Sequence, residues 1–179
     1  MMRRLPIVLN VLLLSIALFS SCRSRTYEVK THLNLPDNLK AMEYGNQIST
    51  ESLSLIAPLK IIVLVNGGCS SCHSEIWLWE NLVSKNDELK KVPIAFIIFG
   101  NNFNPSNRLM NSKRLQEFFF FRDIDSKILE ENGIKPDKFF NSFLIDEENK
   151  IIIPGNPTTS NSMLANYKAA ILEHTNPIH

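Results

Sequence analysis

Two stretches of the chain are apolar without alternation: Lys60 to Val65 (KIIVLV) and Val92 to Phe99 (VPIAFIIF). Continuous β-branched and aromatic runs of this length suit strands buried on both faces of a mostly parallel sheet. Between them the period changes. Cys72, Ile76, Trp79 and Val83 fall at steps of four, three and four, which is one face of a helix from about Ser70 to Ser84. Asn66-Gly67-Gly68 breaks the first strand before that helix begins. Beyond the second strand, residues 100–107 are rich in Asn, contain Gly100 and Pro105, and read as a surface loop. A short helix over 111–117 and a compact apolar strand over Phe118 to Phe121 follow. A helix from Asp125 to Asn132 is expected to stop at Gly133 in a left-handed C-cap. Asn141 to Ile145 and Lys150 to Ile153 flank the turn residues Glu147-Glu148-Asn149 and read as a hairpin. The last element is a helix from Asn161 to His174, with Leu164, Tyr167, Ala170 and Ile171 on one side. Upstream, residues 23–57 are polar and mixed. Leu33, Leu35, Ile48, Leu53 and Leu55 are spaced there for an extension plus one edge element.

The order β-α-β-α-β-α-β-β-α predicts an α/β sandwich of three layers, its central sheet mixed, parallel in the middle with an antiparallel hairpin at one edge. A chain of 179 residues with 44% hydrophobic and 21% charged residues has room for one such domain. That size buries a core without disulfide staples. Lys and Arg number 19 and Asp and Glu number 18, so no basic excess is left to hold a nucleic-acid backbone. The three cysteines therefore call for a chemical explanation.

Residues 1–22 read as an export signal. Arg3 and Arg4 are followed by a short apolar run from Leu5 to Phe19 and by small residues before Cys22. The Leu18-Phe19-Ser20-Ser21-Cys22 run resembles a bacterial lipobox, which implies that Cys22 carries lipid and begins the mature chain. The domain plan is then a lipoprotein signal over 1–22, a tether and N-terminal extension over 23–45, and the α/β domain over 46–179.

Cys69 and Cys72 lie where the first buried strand passes into a helix. Unpaired N–H groups and the helix dipole at a helix N-terminus stabilise a thiolate, so Cys69 is expected to be the attacking sulfur. Cys72, one turn further in, is shielded and placed to resolve a mixed disulfide. Ser70 and Ser71 are small and keep Cys69 accessible.

With these residues in place the sequence resembles the thioredoxin-like fold, and within it the membrane-tethered thiol-disulfide oxidoreductases of the TlpA/ResA type. The resemblance rests on KIIVLVNGGCSSCHSE at 60–75, SKILEENGI at 126–134 and FLIDEENKIII at 143–153, and spans roughly residues 46–174. It implies an envelope location, protein thiol and disulfide substrates, a redox partner that recharges the pair, and no metal or organic cofactor. The family's Cys-x-x-Cys-x-x-Glu pattern is met by Cys69, Cys72 and Glu75. The resemblance implies that Glu75 tunes thiol acidity and moves protons; an ordinary acid in a first helical turn is the other reading of Glu75. Two positions depart from the family. Gly68 stands where a Trp usually precedes the first Cys. Phe140 stands where a cis-proline is expected opposite the disulfide, and the nearest proline is Pro136.

Other readings of the same residues remain open. The loss of the cis-proline suits a non-catalytic binding module with an altered groove. Cys69-x-x-Cys72-His73 is also the attachment pattern of c-type haem, with Met110, Met163 or His174 as the further ligand. A structural zinc site lacks a second ligand pair. A purely structural disulfide would close too short a loop to stabilise much. Trp77 and Trp79, and Phe118 to Phe121, read as core packing.

Overall fold

The computed structural model describes residues 30–42, 57–69, 73–100, 117–135, 137–138 and 140–175. The export signal, Cys22, Cys72, Pro136 and most of the short helix expected over 111–117 lie outside these residues.

Six strands form one sheet: β1 (Lys40–Ala41), β2 (Leu59–Asn66), β3 (Ile94–Phe99), β4 (Phe119–Asp123), β5 (Ser142–Asp146) and β6 (Ile151–Pro154). Their order across the sheet is β1-β4-β3-β2-β5-β6. The central pairs β2–β3 and β3–β4 are parallel, and β2–β5, β5–β6 and β1–β4 are antiparallel. The expected parallel centre and edge hairpin are both present. Helices α1 (His73–Ser84), α2 (Lys127–Asn132) and α3 (Asn161–Thr175) complete the layers.

Successive residues of a strand point to opposite faces, and here both faces are covered. Leu59, Ile61, Val63 and Val65 of β2 join Ile94, Phe96 and Ile98 of β3 in one core, under Ile76, Trp79 and Val83 of α1 and Tyr167 and Ile171 of α3. Ile62 and Leu64 join Ala95, Ile97 and Phe99 in the other, under Ile128 of α2 and Leu33 and Leu39 of the N-terminal segment. That double burial is why the runs lack alternation. The four phenylalanines also divide: Phe118 and Phe120 face the first core, Phe119 and Phe121 the second. Phe96 stacks on Phe120 at 5.2 Å between ring centres.

Strand β4 runs two residues past Phe121, through Arg122 to Asp123. Asp123 is wholly buried because its carboxylate accepts from the backbone N–H groups of Lys127 (3.1 Å) and Ile128 (2.8 Å). It thereby caps α2, which starts at Lys127 rather than at Asp125. The helix ends as expected: Gly133 has φ of 62° and its N–H returns to Glu130 and Leu129.

The N-terminal segment belongs to the sheet assembly from residue 30. Thr31 and Leu33 bond the backbone of Ile151 and Asn149, and β1 supplies the edge element beside β4. Asn132 latches this segment: its Oδ1 accepts from Asn34 N–H at 2.7 Å and its Nδ2 donates to Asn34 C=O at 2.8 Å. Among the described residues no helix is long and apolar enough to cross a membrane.

Candidate active site

The three parallel strands end in register, with Asn66 opposite Phe99 and Phe99 opposite Asp123. Two backbone bonds tie these ends together, from Gly67 N–H to Phe99 C=O at 2.9 Å and from Gly100 N–H to Asp123 C=O at 3.1 Å. Open α/β sheets present their chemistry at this carboxyl edge.

Cys69 is delivered to the edge by a turn that Asn66 builds. The Asn66 side-chain oxygen accepts from Gly68 N–H at 2.9 Å, and its carbonyl accepts from Cys69 N–H at 3.3 Å. Asn side chains favour such turns because they mimic a backbone acceptor. Among the described residues, a Cβ on Gly68 would meet only Asn66 Oδ1, at an ordinary 3.5 Å. The glycine in place of the family's Trp is therefore not demanded by crowding. Cys69 is half-buried and disulfide-bonded, and its partner sulfur lies outside the described residues. Helix α1 begins four residues later, at His73.

Glu75 stands in the first turn of α1 and is half-buried. Its Oε1 accepts from Asn156 Nδ2 at 2.7 Å and from Thr158 Oγ1 at 3.2 Å. Asn156, only 1% exposed, also donates to Lys138 C=O at 3.1 Å. The carboxylate is thus held by the β6–α3 connection, against the loop that leads into β5. From the sequence, Asn66 is read only as part of the strand break, and Asn156 and Thr158 are not singled out. Their spacing from Cys69 and Glu75 along the chain carries no signal; only the fold joins them.

Phe140, at the expected cis-proline position, keeps its N–H occupied within its own loop, donating to Asp137 Oδ1 at 3.0 Å. It lines a small cavity of about 40 Å³ together with Leu33, Ile134, Phe143 and Ile151. Those companions belong to the second core, on the sheet face away from α1. No peptide bond among the described residues is cis. Trp79 is fully buried in the first core and Trp77 packs at its margin, as the sequence suggested.

No protein-family model matches the chain, and no curated protein matches it. Solved structures do. MTB DsbF, in its mixed oxidized and reduced forms, superposes with a TM-score of 0.53 at 14% identity, covering 80% of this chain and 98% of its own. A protein assigned as the thiol:disulfide interchange protein DsbE of Chlorobium tepidum gives 0.52 at 14% identity, covering 80% and 99%. The fold is thioredoxin-like. Within a thioredoxin-like sheet, β2, Cys69 and α1 form the strand–turn–helix unit at the carboxyl edge, and the loop before β5 lies next to it in the sheet order.

Proposed function

We propose that this protein is a thiol-disulfide oxidoreductase of the bacterial cell envelope, tethered by lipid on Cys22, with Cys69 as nucleophile and Cys72 as resolving thiol. The observation that carries the reading is the placement of Cys69, at the end of a buried parallel strand and just ahead of a helix N-terminus. The names of the fold neighbours support it. One is assigned as a thiol:disulfide interchange protein, and the other is a Dsb protein holding mixed oxidized and reduced forms.

In the reducing direction, the Cys69 thiolate attacks one sulfur of a protein disulfide. A mixed disulfide forms and one substrate thiolate leaves. Cys72, deprotonated, then attacks the Cys69 sulfur and expels the second substrate thiolate. Two electrons have passed to the substrate and Cys69–Cys72 is a disulfide; a dithiol redox partner returns it to the reduced state. Glu75 handles protons beside the pair, its carboxylate held by Asn156 and Thr158. No metal or organic cofactor enters these steps. The binding-module reading rested on Phe140, which lines a cavity with second-core residues. Against the haem reading, c-type haem modules are usually helical, whereas this motif follows a strand.

The test is a redox-buffer titration of the full chain carrying Cys22→Ser, with alkylated thiols counted by intact mass. A reversible two-thiol transition confined to Cys69 and Cys72 is expected, and Cys72→Ser should accumulate mixed disulfides. Thiols that never pair would replace this reading with the binding module, and a haem-sized covalent mass would replace both. The intact mass of the unsubstituted chain recovered from membranes reads the lipid on Cys22.

A further inference from the structure

Asn156 uses one side-chain amide to hold two separate parts of the site. Both donors of Nδ2 are engaged, one by Glu75 Oε1 at 2.7 Å and one by Lys138 C=O at 3.1 Å. Its Oδ1 accepts from Thr158 N–H at 2.9 Å, which aims the Thr158 hydroxyl at the same Glu75 oxygen, 3.2 Å away. The residue is 1% exposed, so none of these bonds is readily exchanged for water. Its neighbour is braced as well: Gly155 C=O accepts from the buried Tyr167 hydroxyl at 2.9 Å, and Gly155 N–H donates to Ser142 C=O at 2.8 Å. The amide is thus held by strands and helix on one side and presents its two donors on the other. Only an amide supplies this pattern. Ser or Thr offers one donor, and Asp offers none.

We infer that Asn156 is a positioning residue for the redox site, acting through Glu75. It fixes the carboxylate in the first turn of α1, the helix that follows the cysteine pair in the chain. It also ties that carboxylate to the loop leading into β5, so the carboxylate and the backbone of this loop are placed as one unit. Thr158 is the second donor of the same device. The inference rests on the oxidoreductase reading, because the property being set is the thiol–disulfide equilibrium of Cys69 and Cys72.

The experiment is a double-mutant cycle on that equilibrium, read against glutathione in the full chain carrying Cys22→Ser. Asn156→Ala is expected to change the equilibrium constant at least threefold, about 14 mV for a two-electron couple. In a Glu75→Gln background the same substitution should leave the constant unchanged. A role confined to holding the loop predicts a lower melting temperature in both backgrounds and no change in the constant, and that result overturns the inference. So does an equal change in both backgrounds. Thr158→Val, which keeps the shape and removes only the hydroxyl donor, covers the case in which Asn156→Ala fails to fold. Its change should be smaller, of the same sign, and again absent with Gln at 75. If the unsubstituted pair shows no reversible transition, the oxidoreductase reading falls and takes this inference with it. A normal transition indifferent to Asn156 and Thr158 removes the inference alone.

Discussion

Replacing Asn132 by Ala should release the N-terminal segment from α2. The side chain is 6% exposed and makes three hydrogen bonds, to Asn34 N–H at 2.7 Å, Asn34 C=O at 2.8 Å and Ile128 C=O at 2.8 Å. The third adds little, since a helical carbonyl at that position already has its own backbone partner. The first two are partly buried, at about 0.5–1.5 kcal/mol each, so the expected loss is about 1–3 kcal/mol. In a domain of this size each kcal/mol lowers the melting temperature by about 2–4 °C, giving about 2–12 °C in all. Thermal denaturation followed by circular dichroism reads this, and amide hydrogen exchange at Asn34 locates it. Asn132→Asp sharpens the test. It preserves shape and the acceptor for Asn34 N–H, yet it turns a negative charge toward two carbonyls at a helix C-terminus, where the dipole is also negative. Asp should therefore be no more stable than Ala. An Asp variant melting with the unsubstituted protein, or an Ala variant with unchanged protection at Asn34, would refute the latch.

Two further substitutions probe the backbone and the charge of the core. Gly133→Ala should cost about 1 kcal/mol in urea denaturation, because φ is 62° while the added Cβ meets nothing within 4 Å; Gly133→Asn should cost less. Lys60 is enclosed, with Nζ donating to Asp146 C=O at 2.8 Å, and burial lowers its pKa while Asp146 and Glu147 partly restore it. Between the lowered folded value and 10.5 the unfolded state holds more protons, so stability gains with rising pH in that window. Lys60→Met removes the effect: the unsubstituted protein should gain on the variant as pH climbs toward 10.5, and parallel curves would exclude it.

Much of the fold was written in the period of the apolar residues. Strands β2 and β3, the phenylalanine strand, the edge hairpin and the buried face of α3 all follow from where hydrophobic side chains recur, because burial on a known face is a local property. What escaped the sequence depends on partners far along the chain. Asp123 fell between the strand expected to end at Phe121 and the helix expected from Asp125; it lies inside because two amides of α2 satisfy its carboxylate. Lys60 falls within the apolar run to Val65, with no sign in the sequence of the tie to Asp146 that accompanies its enclosure. Residues 30–42 looked like a polar extension, and two of their apolar members, Leu33 and Leu39, are buried in a segment held by bonds to Asn132 and the hairpin. At the candidate site, Cys69 and Glu75 were visible as a motif. Asn156 was not, since an Asn between Gly155 and Pro157 reads as a turn until a helix 80 residues earlier is folded against it.

The pairing of Leu59 with Asp146 places the turn of the edge hairpin beside the start of β2, and Thr31 and Leu33 are bonded beside that turn. Cys69 lies beyond the other end of the same strand, about 23 Å along it at ~3.3 Å per residue. Thr31 and Cys69 therefore lie beside opposite ends of β2. On the oxidoreductase reading, a protein docking at Cys69 would meet the end of β2 away from Thr31 and the hairpin turn.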